Sequence, residues 1–428
     1  MRFFSRLCLA AAALLLTALA PPPTLDWAAE RYVKLSLEAG EREPEYVDAY
    51  YGPAEWAAAA KATPRDLPTL LKDAQALKAE LAAIEPMSLT PSERRRLASL
   101  IGQVTAAETR LAMANGTKFS FADEARGLFG TAPNLKPLSA YDPVLAEINR
   151  LVPGSGPLDE RVSKYRESLR IPPDKLRPVM DAAIAECRRR TVAHIPLPTA
   201  EKFSLGIVTN KPWGGYNYYK GNATSLIEVN TDLPVLIDRA VDLGCHEGYP
   251  GHHVLNVLLE EKLSRGKGWQ EFTVYPLYSP QSLLAEGSAN YGIELAFPGD
   301  EQAKFEAEVL FPLAGLDPKE APRLAALNKA SRALAGSRFT IARDYLDGRI
   351  TREQAIQLSQ KYGLQSRARA EKSLEFTDHY RSYVINYGHG RDLVRSTVEA
   401  AGPSQDARWT RMEKLLSEPT TPADLGAK

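Results

Sequence analysis

The segment "DLGCHEGYPGHHVLNVLLEEKL", residues 242–263, holds three of the six histidines of the chain within eight residues. His246 and Glu247 form a pair like the one that opens the metal-binding sequence H-E-x-x-H, but the next histidines are His252 and His253. On an unbroken helix His252 would point about 240° away from His246, and His253 would lie about 10.5 Å further along the axis. A regular helix therefore cannot bring two of these histidines to one metal ion.

The residues between the histidines predict that the helix is interrupted. Pro250 lacks an amide donor and clashes with the preceding turn, and Gly248 and Gly251 tolerate unusual backbone angles. If two residues are extruded there, as in the bulges often found at functional sites, His252 takes the place of the second histidine in H-E-x-x-H. His253 would then contact substrate or solvent.

A third metal ligand is expected from a later helix, "SLLAEGSANYGIEL" at 282–295. Two carboxylates compete for this role. Glu286 is favoured over Glu294 because the small residues Gly287 and Ala289 leave room for another helix to pack closely. Asn290, one turn further on, is predicted to orient a metal ligand.

The two motifs "HEGYPGHH" and "EGSANY" resemble a bacterial family called domain of unknown function 885. Its signature is H-E-x-x-P-G-H, followed later by E-G-W-A-x-Y. The resemblance covers about residues 200–395, and the family is grouped with the glutamate zincins, which are metallopeptidases. It implies that His246, His252 and Glu286 bind one Zn²⁺ per chain and that Glu247 is the catalytic base.

The chain departs from the family pattern at two positions. Leu255 and Ser288 stand where the family often has Gln and Trp. These changes leave the implied ligands intact, but the substrate pocket of the family is not carried over. Tyr291, the last residue of the second motif, is assigned to the surroundings of the metal or the substrate.

A late segment, "RSYVINYGHGRDLVRS" at 381–396, resembles another stretch of that family. Metallopeptidases need a hydrogen-bond donor for the oxyanion that forms during hydrolysis. Tyr387 is the first candidate for this donor and His389 the second, and the alternative for Tyr387 is a core position. Arg391 and Arg395, one helical turn apart, could hold a substrate carboxylate. Their alternative is ion pairing at the surface.

The segment "TSLIEVN", 224–230, has the alternation of a β-strand. It is predicted to be an edge strand beside the metal, where a peptide backbone could add as a further strand. Asn230 at its end, together with Trp213, Tyr216 and Tyr218, is a candidate for the lining of the cleft. Packing within the core is the alternative for the three aromatic residues.

Helical periodicity dominates the rest of the chain. The sequence thus predicts a mainly α fold of the zincin-like metallopeptidase class, with a helical N-terminal half and a small β element next to the active-site helix. The predicted organisation is a signal peptide at 1–23, a helical region covering the cleft at 24–200, a catalytic region at 201–415 and a flexible tail at 416–428.

The first residues have the pattern of a secretory signal peptide, about 1–20. Arg2 and Arg6 precede an apolar run at 7–20, which is shorter than the roughly 20 residues that a membrane-spanning helix needs. The prolines at 21–23 disfavour cleavage directly before them, so that an uncleaved N-terminal anchor is the alternative. Both interpretations predict an exported protein, periplasmic or secreted.

The bulk composition excludes some partners. The 53 basic and 53 acidic side chains balance, so no nucleic acid and no membrane surface is expected to be held by charge. Two cysteines follow the leader, Cys187 and Cys245. They could form a disulfide or remain two buried thiols, and their spacing does not decide between these possibilities.

The sequence therefore predicts an exported zinc-dependent metallohydrolase, with a peptide or small amide as its substrate. In the expected reaction, a metal-activated water cleaves the peptide bond and Glu247 is the general base. Two alternatives stay open. One is a non-catalytic peptide-binding protein on a peptidase scaffold, and the other is a zinc hydrolase of a non-peptide amide or ester.

Overall fold

The computed structural model describes residues 24–211 and 213–427. The predicted signal peptide lies outside the described residues. Within them, helices predominate and the strands are short. The mainly α fold, with a small β element beside the segment that carries His246, is confirmed.

The N-terminal half consists mainly of helices, and side chains cap the first turns of several of them. Thr24, Asp66 and Ser120 each accept a hydrogen bond from a backbone N–H of the following helix, and Thr90 and Glu93 form a reciprocal capping box. The elements of this half are α1 (Leu25–Arg42), β1 (Val47–Tyr50), α2 (Ala54–Ala62), α3 (Leu67–Ala82), α4 (Pro91–Ala114), α5 (Phe121–Phe129), α6 (Asp142–Leu151), α7 (Leu158–Glu167) and α8 (Leu176–Val192).

A three-stranded sheet follows, formed by β2 (Lys202–Val208), β3 (Gly215–Tyr219) and β4 (Thr224–Asn230). β4 lies in the middle, parallel to β2 and antiparallel to β3. The prediction that 224–230 is an edge strand is wrong, because β2 occupies its second side. The alternating burial of β4 shows which face is covered, but it does not show how many strands pair with it.

The C-terminal half is again helical, and three π-helical turns interrupt it, at Gly244–Gly248, Glu260–Arg265 and Glu306–Leu310. Its elements are α9 (Asp238–Leu243), α10 (His252–Leu259), β5 (Val274–Pro276), α11 (Pro280–Ala296), α12 (Glu301–Phe305), α13 (Phe311–Ala314), α14 (Ala321–Arg332), α15 (Ala335–Leu346), α16 (Arg352–Gly363), α17 (Arg367–Tyr380), α18 (Ile385–Glu399) and α19 (Gln405–Ser417).

The two halves share their packing. β1 pairs in antiparallel fashion with β5, although more than 200 residues separate them in the sequence. One hydrophobic cluster joins Leu35 and Phe121 of the N-terminal half to Tyr278, Leu283 and Val384 of the C-terminal half. Residues of the first half are therefore placed directly beside those of the second.

The end of the chain differs from the flexible tail expected from its composition. Pro422–Leu425 forms a 3₁₀ turn, which a capping box between Thr421 and Asp424 closes. Leu425 is 3% exposed and belongs to the main hydrophobic cluster. Leu416 and Pro419 are buried as well, so this segment packs against the core through several apolar residues and a capped turn.

Among the described residues, no helix has both the length and the apolar character that a membrane span requires.

Candidate metal centre

The His-Glu segment folds as an interrupted helix. α9 continues into the π turn Gly244–Gly248, Tyr249 adopts an extended conformation, and α10 starts afresh at His252. Gly251 makes the closest approach, because a Cβ atom built there would lie 1.8 Å from the backbone oxygen of His246. Only glycine fits at this break, and the break turns His252 back toward His246.

The two histidine rings consequently meet, with their centroids 4.7 Å apart and their planes nearly perpendicular. Glu286 of α11 faces both of them. Its Oε2 atom lies 3.3 Å from His246 Nε2 and its Oε1 atom 3.8 Å from His252 Nε2. One potential ligand atom from each of the three residues lies within 4.8 Å of the other two.

Close helix packing places Glu286 at this position. A Cβ atom on the next residue, Gly287, would lie 2.5 Å from the backbone of Gly390, so that α11 and α18 nearly touch. The same approach brings Tyr383 and Tyr387, just before and within α18, to the cluster. The competing carboxylate, Glu294, is directed elsewhere and faces arginines.

The donor set fits a metal ion. Glu286 is 5% exposed, and its buried Oε2 atom accepts no well-aligned hydrogen bond, although His246 Nε2 lies 3.3 Å away. A buried carboxylate oxygen without a donor is costly, and a bound cation would satisfy it. Two imidazoles and one carboxylate, with further positions open, are the ligand set of many catalytic zinc sites. His246, His252 and Glu286 are the residues that could hold such an ion.

The protonation states of His252 and Glu286 suit metal binding. For His246, burial opposes protonation, but Glu286 and Glu247 outweigh this effect and raise the pKa of the ring. Burial lowers the pKa of His252 to about 4, which keeps its imidazole neutral. Burial opposes ionisation of Glu286, but the two histidines outweigh it and lower the pKa of the carboxyl group. Neutral imidazole and ionised carboxylate are the forms that coordinate metals.

Glu247 lies beside the cluster with 6% of its surface exposed. Burial raises the pKa of its carboxyl group to about 7, and repulsion from Glu286 and Asp48 adds to the effect. The Asn217 side-chain amide donates a 2.6 Å hydrogen bond to the backbone oxygen of Glu247, so that the edge strand β3 is tied to this segment. A carboxylate with a pKa near neutrality is suited to accept and return a proton.

Two residues that the sequence did not indicate complete the surroundings. Tyr383 donates a 2.9 Å hydrogen bond from its hydroxyl group to Glu286 Oε1. Asp48 of β1 accepts a hydrogen bond from the Tyr216 hydroxyl group, and burial raises its pKa to about 6. Tyr383 stands four residues before Tyr387 and could have been weighed with it, whereas nothing in the local sequence marks Asp48.

The two candidates for the oxyanion donor are placed differently. The Tyr387 ring lies nearly parallel to that of His246, with 6.5 Å between the centroids. Burial raises its pKa well above the ordinary value, so that its hydroxyl group stays protonated and able to donate. His389 instead has its Nε2 atom 3.2 Å from Thr131 Oγ1, in the segment after α5.

His253 does not face substrate or solvent. It is fully buried, with Nδ1 at 2.8 Å from Ser225 Oγ and Nε2 at 3.0 Å from Glu201 Oε1. The reason for the difference is that consecutive residues at the start of a helix point about 100° apart. His252 therefore faces α11, and His253 faces the sheet.

The two polar residues of the second motif also have structural contacts. Asn290 donates a 2.8 Å hydrogen bond to the backbone oxygen of Glu286, one turn earlier, and not to a ligand side chain. Tyr291 is 2% exposed and packs in the main hydrophobic cluster. The structure brings neither side chain to the metal cluster.

Asn230 holds a loop in place. Its side-chain amide donates hydrogen bonds of 3.0 and 2.9 Å to the backbone oxygens of Lys211 and Trp213. The aromatic residues near it pack against each other. The ring centroids of Trp213 and Tyr218 lie 5.4 and 4.6 Å from the centroid of the Tyr216 ring. Among these residues, only Tyr216 reaches the surroundings of the metal cluster, through Asp48.

Arg391 and Arg395 are ion-paired. Their guanidinium nitrogens lie 3.7 and 3.6 Å from the carboxylate oxygens of Glu294. Asp392 and Glu399 provide further partners at 2.7 and 3.0 Å. Their charges are already balanced by these carboxylates, as the surface-pairing alternative expects.

Cys187 and Cys245 form a disulfide, with 5.4 Å between their Cα atoms. Cys245 immediately precedes His246, and Cys187 belongs to α8. The bond therefore fastens the first histidine of the cluster to a neighbouring helix.

No model of a known protein family matches the sequence, and no curated protein matches it significantly. A candidate lipoprotein from Colwellia psychrerythraea is similar in structure, with a TM-score of 0.52 and 16% identity over 95% of this chain and 76% of that chain. A candidate lipoprotein of unknown function from Shewanella oneidensis has a TM-score of 0.46 and 13% identity, over 91% and 82%.

The M32 carboxypeptidase from Deinococcus radiodurans R1 has a TM-score of 0.38 and 16% identity, over 91% of this chain and 87% of that chain. The likeness to the Colwellia protein shows a shared fold. The other two likenesses are weaker and add nothing to that conclusion.

Proposed function

We propose that the protein is an exported, zinc-dependent metallohydrolase that cleaves peptide bonds. One observation carries the proposal: His246, His252 and Glu286 converge beside Glu247, and Glu286 Oε2 is buried without a hydrogen-bond partner. A buried carboxylate oxygen that accepts no well-aligned hydrogen bond suits a ligand site better than a structural ion cluster.

Zinc held by these three residues would supply Lewis-acid chemistry, polarising a carbonyl group and making water more acidic. The protein itself supplies the proton transfers and the positioning. Glu247 accepts a proton from the attacking water and returns it to the leaving amine, for which its pKa of about 7 is suited.

Two tyrosines assist in this proposal. Tyr387 donates a hydrogen bond to the carbonyl oxygen as negative charge develops on it. Tyr383 holds Glu286 in position through its hydrogen bond to Oε1. In the same proposal residues 24–200 cover the cleft, with Asp48 of β1 reaching the surroundings of Glu247 and Glu286.

Three observations support export. The first 20 residues have the pattern of a signal peptide. Cys187 and Cys245 form a disulfide, which persists mainly in oxidising compartments. The structurally similar protein from Colwellia psychrerythraea is described as a candidate lipoprotein, a class of exported proteins.

The test is hydrolysis of a mixed peptide library by the zinc-loaded protein, followed by mass spectrometry of the products. Glu247→Gln is expected to keep its zinc and to lose turnover by about 10³-fold, since general-base catalysis contributes on the order of 10²–10⁴-fold. The matched control is Glu294→Gln, which alters another carboxylate of α11, one that pairs with arginines. This variant should cleave peptides at the wild-type rate.

The outcome decides among the alternatives. A Glu247→Gln variant that cleaves normally would overturn the assigned base. A zinc-loaded wild type that cleaves small amides or esters but no peptide would change the substrate class. A protein that binds peptides but hydrolyses none of these compounds would be a binding protein.

A further inference from the structure

A cavity of about 240 Å³ is lined in part by Tyr387, whose ring centroid lies 6.5 Å from that of His246. It lies between α15, α16, α17 and the start of α18, and we call it the α15–α18 cavity. Tyr387 belongs to both places, since it lines this cavity and stacks beside the metal cluster. Its walls are partly apolar, through Leu334, Phe339, Ile341 and Val384.

Arg338 is the charged group of this cavity. Among the described residues, no carboxylate lies within ion-pairing distance of its guanidinium group, and its Nε atom is buried without a hydrogen-bond partner. The guanidinium group packs on aromatic faces instead, 5.3 Å from the Phe376 centroid and 5.9 Å from that of Tyr387. The side chain as a whole is half-buried, and a partly desolvated cation without an anion favours an anionic partner.

A second polar group on the same wall is also unsatisfied. Gln365 lines the cavity, and its Oε1 atom is buried without a hydrogen-bond partner. A cationic donor and a neutral acceptor thus belong to the lining of one cavity. The complementary ligand carries an anionic acceptor and an N–H donor, with apolar surface between or beside them.

Two arginines of α18, Arg391 and Arg395, are less suited to bind a ligand carboxylate. Arg391 and Arg395 already face Glu294, Asp392 and Glu399. Arg338 differs because its side chain is free of such partners among the described residues and is directed into a cavity next to Tyr387.

We propose that the α15–α18 cavity is a substrate subsite that binds a carboxylate-bearing residue, with Arg338 pairing with the carboxylate. Gln365 Oε1 accepts an N–H of the same residue, and the apolar walls receive its side chain. Guanidinium and carboxylate pair with two parallel hydrogen bonds, which explains the choice of arginine here. This proposal rests on the proposed peptidase function, because only a peptidase would use the bound compound as a substrate. Binding of the carboxylate itself does not require hydrolysis.

The carboxylate could be the C-terminus of a peptide or an acidic side chain, and three probes separate these sources. The first is N-acetyl-Ala-Ala-Phe with a free carboxylate, the second is its C-terminal amide, and the third is N-acetyl-Ala-Glu-Ala-amide. Each is titrated by calorimetry into Glu247→Gln protein, with and without zinc, so that no probe is cleaved.

Binding of at least one acid probe is expected to be about tenfold or more tighter than binding of the amide, in line with the strength of a charge-assisted pair. Arg338→Gln should abolish this preference, and Arg338→Lys should retain part of it. The matched control is Arg349→Gln, which removes an exposed arginine that follows α15 and pairs with Asp344 and Asp347; it should leave the preference unchanged.

Preference for the first probe identifies a C-terminal carboxylate and preference for the third an acidic side chain, and either supports the subsite. Equal binding of acids and amide by the protein with Arg338 intact overturns the proposal, and this result needs no variant to fold. If zinc fails to bind but the preference persists in metal-free protein, the peptidase function fails and the subsite stands.

Discussion

Two histidine-carboxylate clusters arise from one eight-residue segment, and they differ in how completely their hydrogen bonds are satisfied. His252 faces Glu286 and His246, whereas its neighbour His253 faces Glu201. The first cluster leaves a buried carboxylate oxygen without a well-aligned hydrogen bond, although His246 Nε2 lies 3.3 Å from it. The second cluster, which we call the Glu201 cluster, is closed.

In the Glu201 cluster both carboxylate oxygens have donors. Glu201 accepts hydrogen bonds from His253 at 3.0 Å and from the Tyr249 hydroxyl group, and Arg188 lies at 2.9 Å. The other nitrogen of His253 contacts Ser225. Satisfied buried charges fasten the segment to the sheet, whereas the unsatisfied Glu286 marks a place for a ligand.

Gly251 permits the helix break that directs His252 and His253 to different neighbours. Its replacement should therefore have the largest effect on stability and zinc binding. Gly251→Ala would place a Cβ atom 1.8 Å from the His246 backbone oxygen, so that the break between α9 and α10 must move. We expect a loss of about 3 kcal/mol of unfolding free energy and loss of zinc. Denaturant unfolding and elemental analysis measure the two effects.

Gly214→Ala is the control for that substitution, because its Cβ atom would meet nothing within 4 Å. It should unfold like the wild type. An alanine at 251 that preserved both zinc and stability would show that the break does not depend on glycine.

The Glu201 cluster predicts a pH-dependent contribution to stability. Burial opposes ionisation of Glu201, but hydrogen bonds from His253, Tyr249 and Arg188 lower its pKa to about 2. A depressed folded-state pKa stabilises the native state above the unfolded pKa of about 4.5, and the contribution is lost as the pH falls through about 2. Glu201→Gln should therefore cost about 2 kcal/mol at pH 7 and progressively less below pH 4.5.

Glu353→Gln provides the contrast. The pKa of Glu353 is also lowered to about 2, by Arg367, but this carboxylate is at the surface, where water screens the pair. Its unfolding free energy should stay close to that of the wild type at every pH. If the two variants gave the same pH profile in urea titrations, the Glu201 cluster would not be the structural anchor described here.

A smaller effect is expected from Tyr383, which supplies the hydrogen bond to Glu286 Oε1. Tyr383→Phe should weaken zinc binding about tenfold, because residues that orient a ligand typically contribute 10–100-fold to affinity. Competition with a coloured chelator measures the affinity. Tyr291→Phe, in the core and away from the cluster, is the control. If it weakened zinc binding as much as Tyr383→Phe, the effect would reflect a general loss of packing and not the hydrogen bond to Glu286.

The sequence predicted well what depends on local chemistry. Pro250 and Gly251 cannot continue a helix, so the interruption between His246 and His252 follows from the residue types. Gly287 likewise predicted a close helix contact, which the structure shows against Gly390. The helical character of most of the chain follows from its periodicity in the same way.

What the sequence did not predict depends on residues far apart in the chain. Whether β4 is an edge or a central strand is decided by β2, and the burial of His253 by Glu201 and Ser225. Asp48 reaches the site because β1 pairs with β5, more than 200 residues later. No local pattern encodes such pairings, and the same holds for the ion pairing of Arg391 with Glu294, which belongs to another helix.

The neighbouring histidines provide the most direct test of the central claim, that the unsatisfied cluster binds metal and the satisfied one does not. The measurement is zinc per chain, by elemental analysis, in the wild type, His252→Gln and His253→Gln. The account predicts about one zinc in the wild type, loss of zinc in His252→Gln, and retention of zinc with lowered stability in His253→Gln. A His252→Gln protein that keeps its zinc, or a wild type that binds none when zinc is supplied, would contradict it.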